Sequence, residues 1–117
     1  MGRQAETVNL VTPLRNYMEH RGWQVFKTWG NAFHAGWPDL YAIHPEYSPK
    51  WIECKMPSGI YTPAQRALFK KWILCNVRIW VVQSDDLRGE KNKYKLKECY
   101  NTLFREPNGA QFLLKGI

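Results

Sequence analysis

No apolar run in the chain is long enough to cross a bilayer, which excludes a membrane-spanning role. The first six residues lack the apolar stretch of a secretory leader, and Glu6 stands where an N-myristoylation signal carries Ser or Thr. A soluble, intracellular protein with no membrane partner is therefore expected. Cysteine is scarce. Cys54, Cys75 and Cys99 are odd in number, far apart and without a C-x-x-C pair, which argues against a disulfide framework or a zinc site and for free thiols in a reducing compartment. Histidine is as sparse. His20, His34 and His44 offer no usable zinc spacing; His20 and His44 are expected to be exposed, and His34, just before Gly36, reads as a surface-loop histidine, with approach to a phosphate as the alternative. Repeats and low-complexity tracts are missing, and nothing calls for a small-molecule cofactor.

Acidic residues are the other shortage: ten Asp and Glu stand against seventeen Lys and Arg, a net charge of +7. A surplus of this size in 117 residues, enough for a single domain spanning 1–117, favours an anionic partner. Six Trp and six Tyr add planar faces on which unpaired bases can stack, so nucleic acid leads the partner classes.

Apolar positions at Val8, Val11, Leu14 and Met18 recur at helical spacing over residues 4–21, with Gly22 as terminator. Pro13 falls inside this pattern. Either it kinks one long helix, or Thr12 caps a shorter one; the unbroken apolar face favours the long kinked helix. Strands are expected at residues 23–29, 39–43 and 51–55, the last two joined by a Pro- and Ser-containing hairpin loop. Thr62-Pro63-Ala64-Gln65 then opens a helix: Thr as N-cap, Pro at the first helical position, Gln at the third. It should run to Cys75 and bury Leu68, Trp72 and Cys75. Residues 77–83 form the most apolar strand, expected to be central and parallel to the 51–55 strand because a crossover helix precedes it. Lys91, Lys93, Lys95 and Lys97 alternate as on an edge strand, but Leu96, Cys99, Tyr100 and Leu103 favour a helix over 93–105; a short strand is expected at 111–114.

The chemistry concentrates in Asp39 and in Glu53-Cys54-Lys55. Residues two apart on a strand share a face, so Glu53 and Lys55 project together while Cys54 points away. If the strand after Asp39 pairs with theirs, two carboxylates and an ammonium converge; the carboxylates can hold Mg²⁺ or Mn²⁺ and the lysine can orient or help deprotonate a water. Taken singly, each is more often a solvated or turn-forming charge. Together, on a strand flanked by apolar residues, they need one another or a metal.

The set Gly36-x-Pro38-Asp39, Ile52-Glu53-Cys54-Lys55 and Thr62-Pro63-Ala64-Gln65 resembles the PD-(D/E)xK nuclease superfamily, and within it the VRR-NUC group, which includes small stand-alone phage members. The resemblance covers residues 6–82. It implies an α/β, restriction-endonuclease-like domain in the order α-β-β-β-α-β-α, with a mixed central sheet of about four to five strands flanked by helices. Asp39, Glu53 and the Cys54 backbone carbonyl would bind the metal, with Glu6 as an additional acid and Glu19 a weaker one; Lys55 would position the water and stabilise transition-state charge. Gln65 would hydrogen-bond water, phosphate or Lys55, although capping alone also explains a glutamine there. Lys27, Arg66, Lys70 and Lys71 could track DNA, with Lys91 to Lys97 as a second patch. The implied activity is metal-dependent hydrolysis of phosphodiester bonds in branched, junction-type or duplex DNA, by a homodimer. A catalytically inert nucleic-acid-binding module of the same fold is the alternative; a sequence-reading restriction or mismatch enzyme lacks room for a recognition domain.

Overall fold

The structure is a computed structural model and describes residues 5–29 and 34–110. A π-helical turn, Thr7–Val11, runs into α1 (Thr12–Glu19); β1 (Gln24–Lys27), β2 (Leu40–Ile43) and β3 (Lys50–Lys55) follow. Then come α2 (Pro63–Leu74), β4 (Ile79–Gln83), a 3-10 turn (Glu90–Asn92) and α3 (Lys93–Thr102). This is an α/β fold in the expected order.

The first helix is continuous through Pro13, as the unbroken apolar face predicts, and Thr12 is itself helical rather than a cap. The proline is accommodated by a π turn, not a simple kink. Pro13 has no N–H for the Asn9 carbonyl, and that oxygen instead accepts from the Leu87 N–H at 2.9 Å. The helix ends at Gly22 (φ +92°), whose N–H bonds the Glu19 carbonyl while Trp23 N–H reaches back to Met18. That pairing is a Schellman motif, which needs the left-handed conformation glycine adopts without strain.

The sheet runs β1-β2-β3-β4, antiparallel at the first two junctions and parallel between β3 and β4. Alternation divides the side chains between two layers. Leu40, Ala42, Ile52, Cys54, Trp80 and Val82 join Leu10, Leu14, Met18 and Leu103 in the main core. Trp51 and Ile79 face the other way, packing with Phe69, Trp72 and Ile73 of α2. Helices thus cover both faces, and Glu53 and Lys55 fall in the layer beneath α2.

Several expectations are corrected. β4 parallels β3 as expected, but among the described residues it is an edge strand, not the central one; its apolar character comes from being covered on both faces. Its outer edge is closed by one side chain, since the Asn108 amide accepts from Val81 N–H at 2.6 Å and donates to Val81 C=O at 3.0 Å. Asn108→Ala leaves both groups without that partner, and chemical denaturation should show a loss of about 1–3 kcal/mol. Cys75 is exposed, because α2 stops at Leu74 and the chain turns away through Asn76 (φ +65°); Phe69 is buried in its place. The alternating lysines lie on the 3-10 turn and α3, which ends at Thr102, three residues short of expectation. The anticipated strand at 111–114 lies outside the described residues.

Candidate active site

Extending the register Leu40↔Ile52 by one residue places Asp39 directly opposite Glu53. The two are tied through the backbone: Asp39 N–H donates to Glu53 Oε1 at 3.1 Å, and Cys54 N–H donates to Asp39 Oδ2 at 2.9 Å. Both carboxylates are buried, with only 2% and 1% of their surface exposed. Lys55 lies two residues further along the same face, its Nζ 3.4 Å from Glu53 Oε2. That ammonium also donates to the Ile60 carbonyl (3.0 Å) and to Gln65 Oε1 (3.2 Å). Three acceptors use the three N–H donors of an ammonium, so here Lys55 acts as a cation and donor.

Gln65 links the cluster to α2. Thr62 and Gln65 form a complete capping box: Gln65 N–H donates to Thr62 Oγ1, and Thr62 N–H to Gln65 Oε1. The amide nitrogen remains free for a second task and donates to Glu53 Oε2 at 2.9 Å. Gln65 Oε1 thus serves both the cap and Lys55, while Nε2 serves Glu53 alone.

Two positioning devices sit around Asp39. Gly36 has φ +82°, and a Cβ there would lie 3.2 Å from the Ala64 carbonyl, so the loop before Asp39 passes against the first turn of α2. Gly36→Ala combines a left-handed penalty of about 1–2 kcal/mol with that close contact, and should lower stability by at least that amount in a denaturant titration. Thr28, just beyond β1, is the second device and gave no sequence signal beyond its β-branched character. It is buried, its N–H donates to the Asp39 carbonyl at 3.0 Å, and its hydroxyl donates to the Pro38 carbonyl.

Burial and then the adjacent Asp39 charge hold the Glu53 carboxyl well above its ordinary pKa, against the opposing pull of Lys55. Two acids against one cation leave an excess negative charge in a dry site. A divalent ion would relieve it. Strand geometry points the C=O and N–H of a residue toward the same edge, so the Cys54 carbonyl faces Asp39, whereas the Lys55 carbonyl faces the β4 side and accepts from Ser84 N–H. Two carboxylates and a carbonyl are hard oxygen donors that suit Mg²⁺ or Mn²⁺, which usually retains several waters. Among the described residues no group of three or more His, Cys, Asp or Glu forms a metal-binding cluster. Any ion here would accordingly rest on Asp39, Glu53 and Cys54 O.

Glu6 is brought to the same end of β3: its Oε2 accepts from Met56 N–H at 3.4 Å and lies beside Gly59 and the Lys55 stem. It does not complete a three-carboxylate cluster. Glu19 is exposed and pairs with Arg15, away from the site. The Cys54 side chain lies in the apolar core, where burial, then the charges of Asp39, Glu53 and Glu6, push its thiol pKa up and leave it unreactive. Sequence reasoning missed Tyr61, whose ring lies 4.7 Å from Lys55 Nζ and whose buried hydroxyl has no hydrogen-bond partner among the described residues.

Lys27, Arg66, Lys70 and Lys71 are all exposed, the last three on α2, the helix that carries Gln65. In the second basic stretch, Lys93 pairs with Glu90 (2.9 Å) and Lys95 with Asp85 (2.8 Å), which reduces its free charge. His34 packs on Trp37 and His20 is exposed. His44 is half-buried instead of exposed, and both ring nitrogens are engaged, with the Arg21 carbonyl and the Glu46 N–H.

No protein-family model, curated protein or solved structure matches this chain. The functional reading therefore rests on the site itself.

Proposed function

We propose that this chain is a divalent-metal-dependent DNA endonuclease. The observation that carries the reading is the buried meeting of Asp39 and Glu53 from adjacent strands with Lys55 and Gln65 on one face of the sheet. Asp39, Glu53 and the Cys54 carbonyl would hold Mg²⁺ or Mn²⁺. Such an ion, when bound, lowers the pKa of a coordinated water and neutralises charge on the scissile phosphate.

The protein's own part is positional and electrostatic. Gln65 and the two backbone N–H bonds fix the carboxylates before any ligand arrives, so little reorganisation is needed at the moment of reaction. Lys55 supplies a donor and positive charge where the phosphoryl group gains negative charge. To reach an oxygen of water or phosphate, Lys55 would have to release one of its present acceptors, Glu53, the Ile60 carbonyl or Gln65. Glu6, held by Met56 N–H at the same end of β3, would be the further acid available to the site. Exposed Arg66, Lys70 and Lys71 on α2, with Lys27, supply cations for the DNA backbone.

The resemblance to small VRR-NUC proteins supports a homodimer acting on branched DNA, since two sites related by a two-fold axis suit paired cuts on two strands. Cleavage of matched linear duplex, flap and four-way-junction DNA in Mg²⁺ or Mn²⁺, with the mass in solution measured by light scattering, tests both parts. Preferential cutting of the junction by a dimer is expected; equal cutting of all three by a monomer would refute the structural selectivity. The alternative, an inert nucleic-acid-binding module, has less support, because binding alone gives no reason to bury two acids where phosphates must approach. Calorimetric titration with Mn²⁺ separates the two: the parent binds and Glu53→Ala does not, whereas no binding by the parent favours the inert module.

A further inference from the structure

A second cluster of charge lies at the opposite end of β3, five residues and about 16 Å from Lys55 at ~3.3 Å per residue. Lys50 opens β3 with 95% of its surface buried, the remaining 5% being exposed. Its ammonium lies 4.2 Å from the Trp80 ring and 5.5 Å from that of Phe104, and among the described residues it has no hydrogen-bond or ion-pair partner. It borders a groove of about 870 Å³, which Arg78 and Arg105 also line. Burial, then repulsion from Arg78, disfavour its charge, and an anion in the groove would offset both. Arg78 and Arg105 do have partners, Glu106 at 2.9 Å and Glu98 at 3.7 Å, but all four side chains are more than half exposed. Such pairs contribute little and exchange readily for a phosphate. Glu46 lines the groove as well, so the cations outnumber the acids there only narrowly.

The aromatic residues narrow the class of ligand. Tyr47 and Phe104 both line the groove and remain 43% and 44% exposed. They meet edge to face at 4.9 Å, and the outer ring, Tyr47, is stacked on buried Trp23 (5.8 Å, interplanar angle 14°). A braced, exposed ring beside an unpaired cation matches what a single-stranded nucleic acid needs: a face for an unpaired base and a charge for its phosphate. Duplex DNA keeps its bases stacked on one another and has no use for the rings.

We propose that this groove binds single-stranded nucleic acid, a phosphate resting against Lys50 and a base stacking on Tyr47 and Phe104. The site is separate from the carboxylate cluster and does not depend on the chain being a nuclease. The test is fluorescence anisotropy of a labelled oligothymidylate of about twelve nucleotides, in EDTA so that no cleavage can occur, over a salt series. Lys50→Met keeps the stem packed on Trp80 while removing the charge; it should weaken binding about tenfold and reduce the salt slope by about 0.7, the contribution of one single-strand phosphate. Tyr47→Leu should weaken binding about fivefold or more with the slope unchanged. Arg88→Met, an exposed cation outside the groove, should do neither. Thermal melts confirm that each variant is folded. If Lys50→Met leaves affinity and slope at parental values, Lys50 is only a lysine extending its head to water and the proposal is wrong. An equal loss on the duplex of the same sequence would overturn the assignment to single strands. Absence of nuclease activity in the parent would bear on the carboxylate site alone.

Discussion

Asp39→Asn should raise the thermal midpoint of the metal-free protein and abolish Mn²⁺ binding in the same substitution. The Asp39 and Glu53 carboxyls meet while buried, and burial together with the Asp39 charge disfavours ionisation of Glu53. Asparagine keeps an oxygen to accept from Cys54 N–H, as Asp39 Oδ2 now does at 2.9 Å, and places an NH₂ donor toward Glu53. A repulsive pair becomes a hydrogen-bonded one and the site becomes neutral against Lys55. The gain is on the order of 1 kcal/mol, or about 4 °C for a chain of this size, read by a thermal melt in EDTA. Sites that trade stability for chemistry behave in this way, whereas a structural aspartate would destabilise when changed. The pH dependence has a definite sign. A carboxyl whose folded pKa is raised gives stability that is fully present below its ordinary value of 4.5 and is lost as pH rises through the folded value. Glu53 therefore makes the metal-free parent less stable from mildly acidic pH upward, and Asp39→Asn makes that decline shallower.

Lys55→Met has the opposite effect on stability. It leaves two buried carboxylates without their cation, when 93% of the Lys55 side chain is buried and Glu53 is almost completely so. Removing one partner of a buried pair costs about 3–5 kcal/mol, so metal-free Lys55→Met should unfold at markedly lower denaturant than the parent. Mn²⁺ should then restore stability without restoring cleavage. It neutralises the stranded acids, so the stability increment on adding metal should be larger than in the parent. Cleavage stays impaired by about 10²- to 10³-fold, because the donor to the developing phosphoryl charge is gone. A variant refolded by metal yet still slow would separate the structural role of the lysine from its chemical one.

Much of this site was legible in the chain because it depends on strand periodicity. Glu53 and Lys55 share a face by spacing alone, and the short hairpin loop after β2 is enough to bring Asp39 opposite Glu53. Gln65 was legible as a cap and, through the resemblance, as a partner of Lys55; its bond to Glu53 left no signal, because the capping box already explains a glutamine there. Thr28 left no signal, because its role is to hold the carbonyls of Pro38 and Asp39 from a position ten and eleven residues earlier in the chain. The placement of Glu6 depends on the π turn. Pro13 announces that an N–H is missing, but nothing local says that Leu87 will take the carbonyl it leaves free. The edge position of β4 was hidden for a related reason: helices on both faces make an edge strand as apolar as a central one, and its open edge is closed by the Asn108 side chain.

The central claim is that Asp39, Glu53 and Lys55 form a metal-dependent phosphodiesterase site, and one comparison tests it most directly. Parent and Asp39→Asn are incubated side by side with junction and duplex DNA in Mn²⁺, with EDTA controls, after melts have shown both to be folded. The parent should cut only with metal, and the more stable Asp39→Asn should be slower by about 10³-fold or more. Cutting by Asp39→Asn at the parental rate, or no metal-dependent cutting by the parent, would contradict the account.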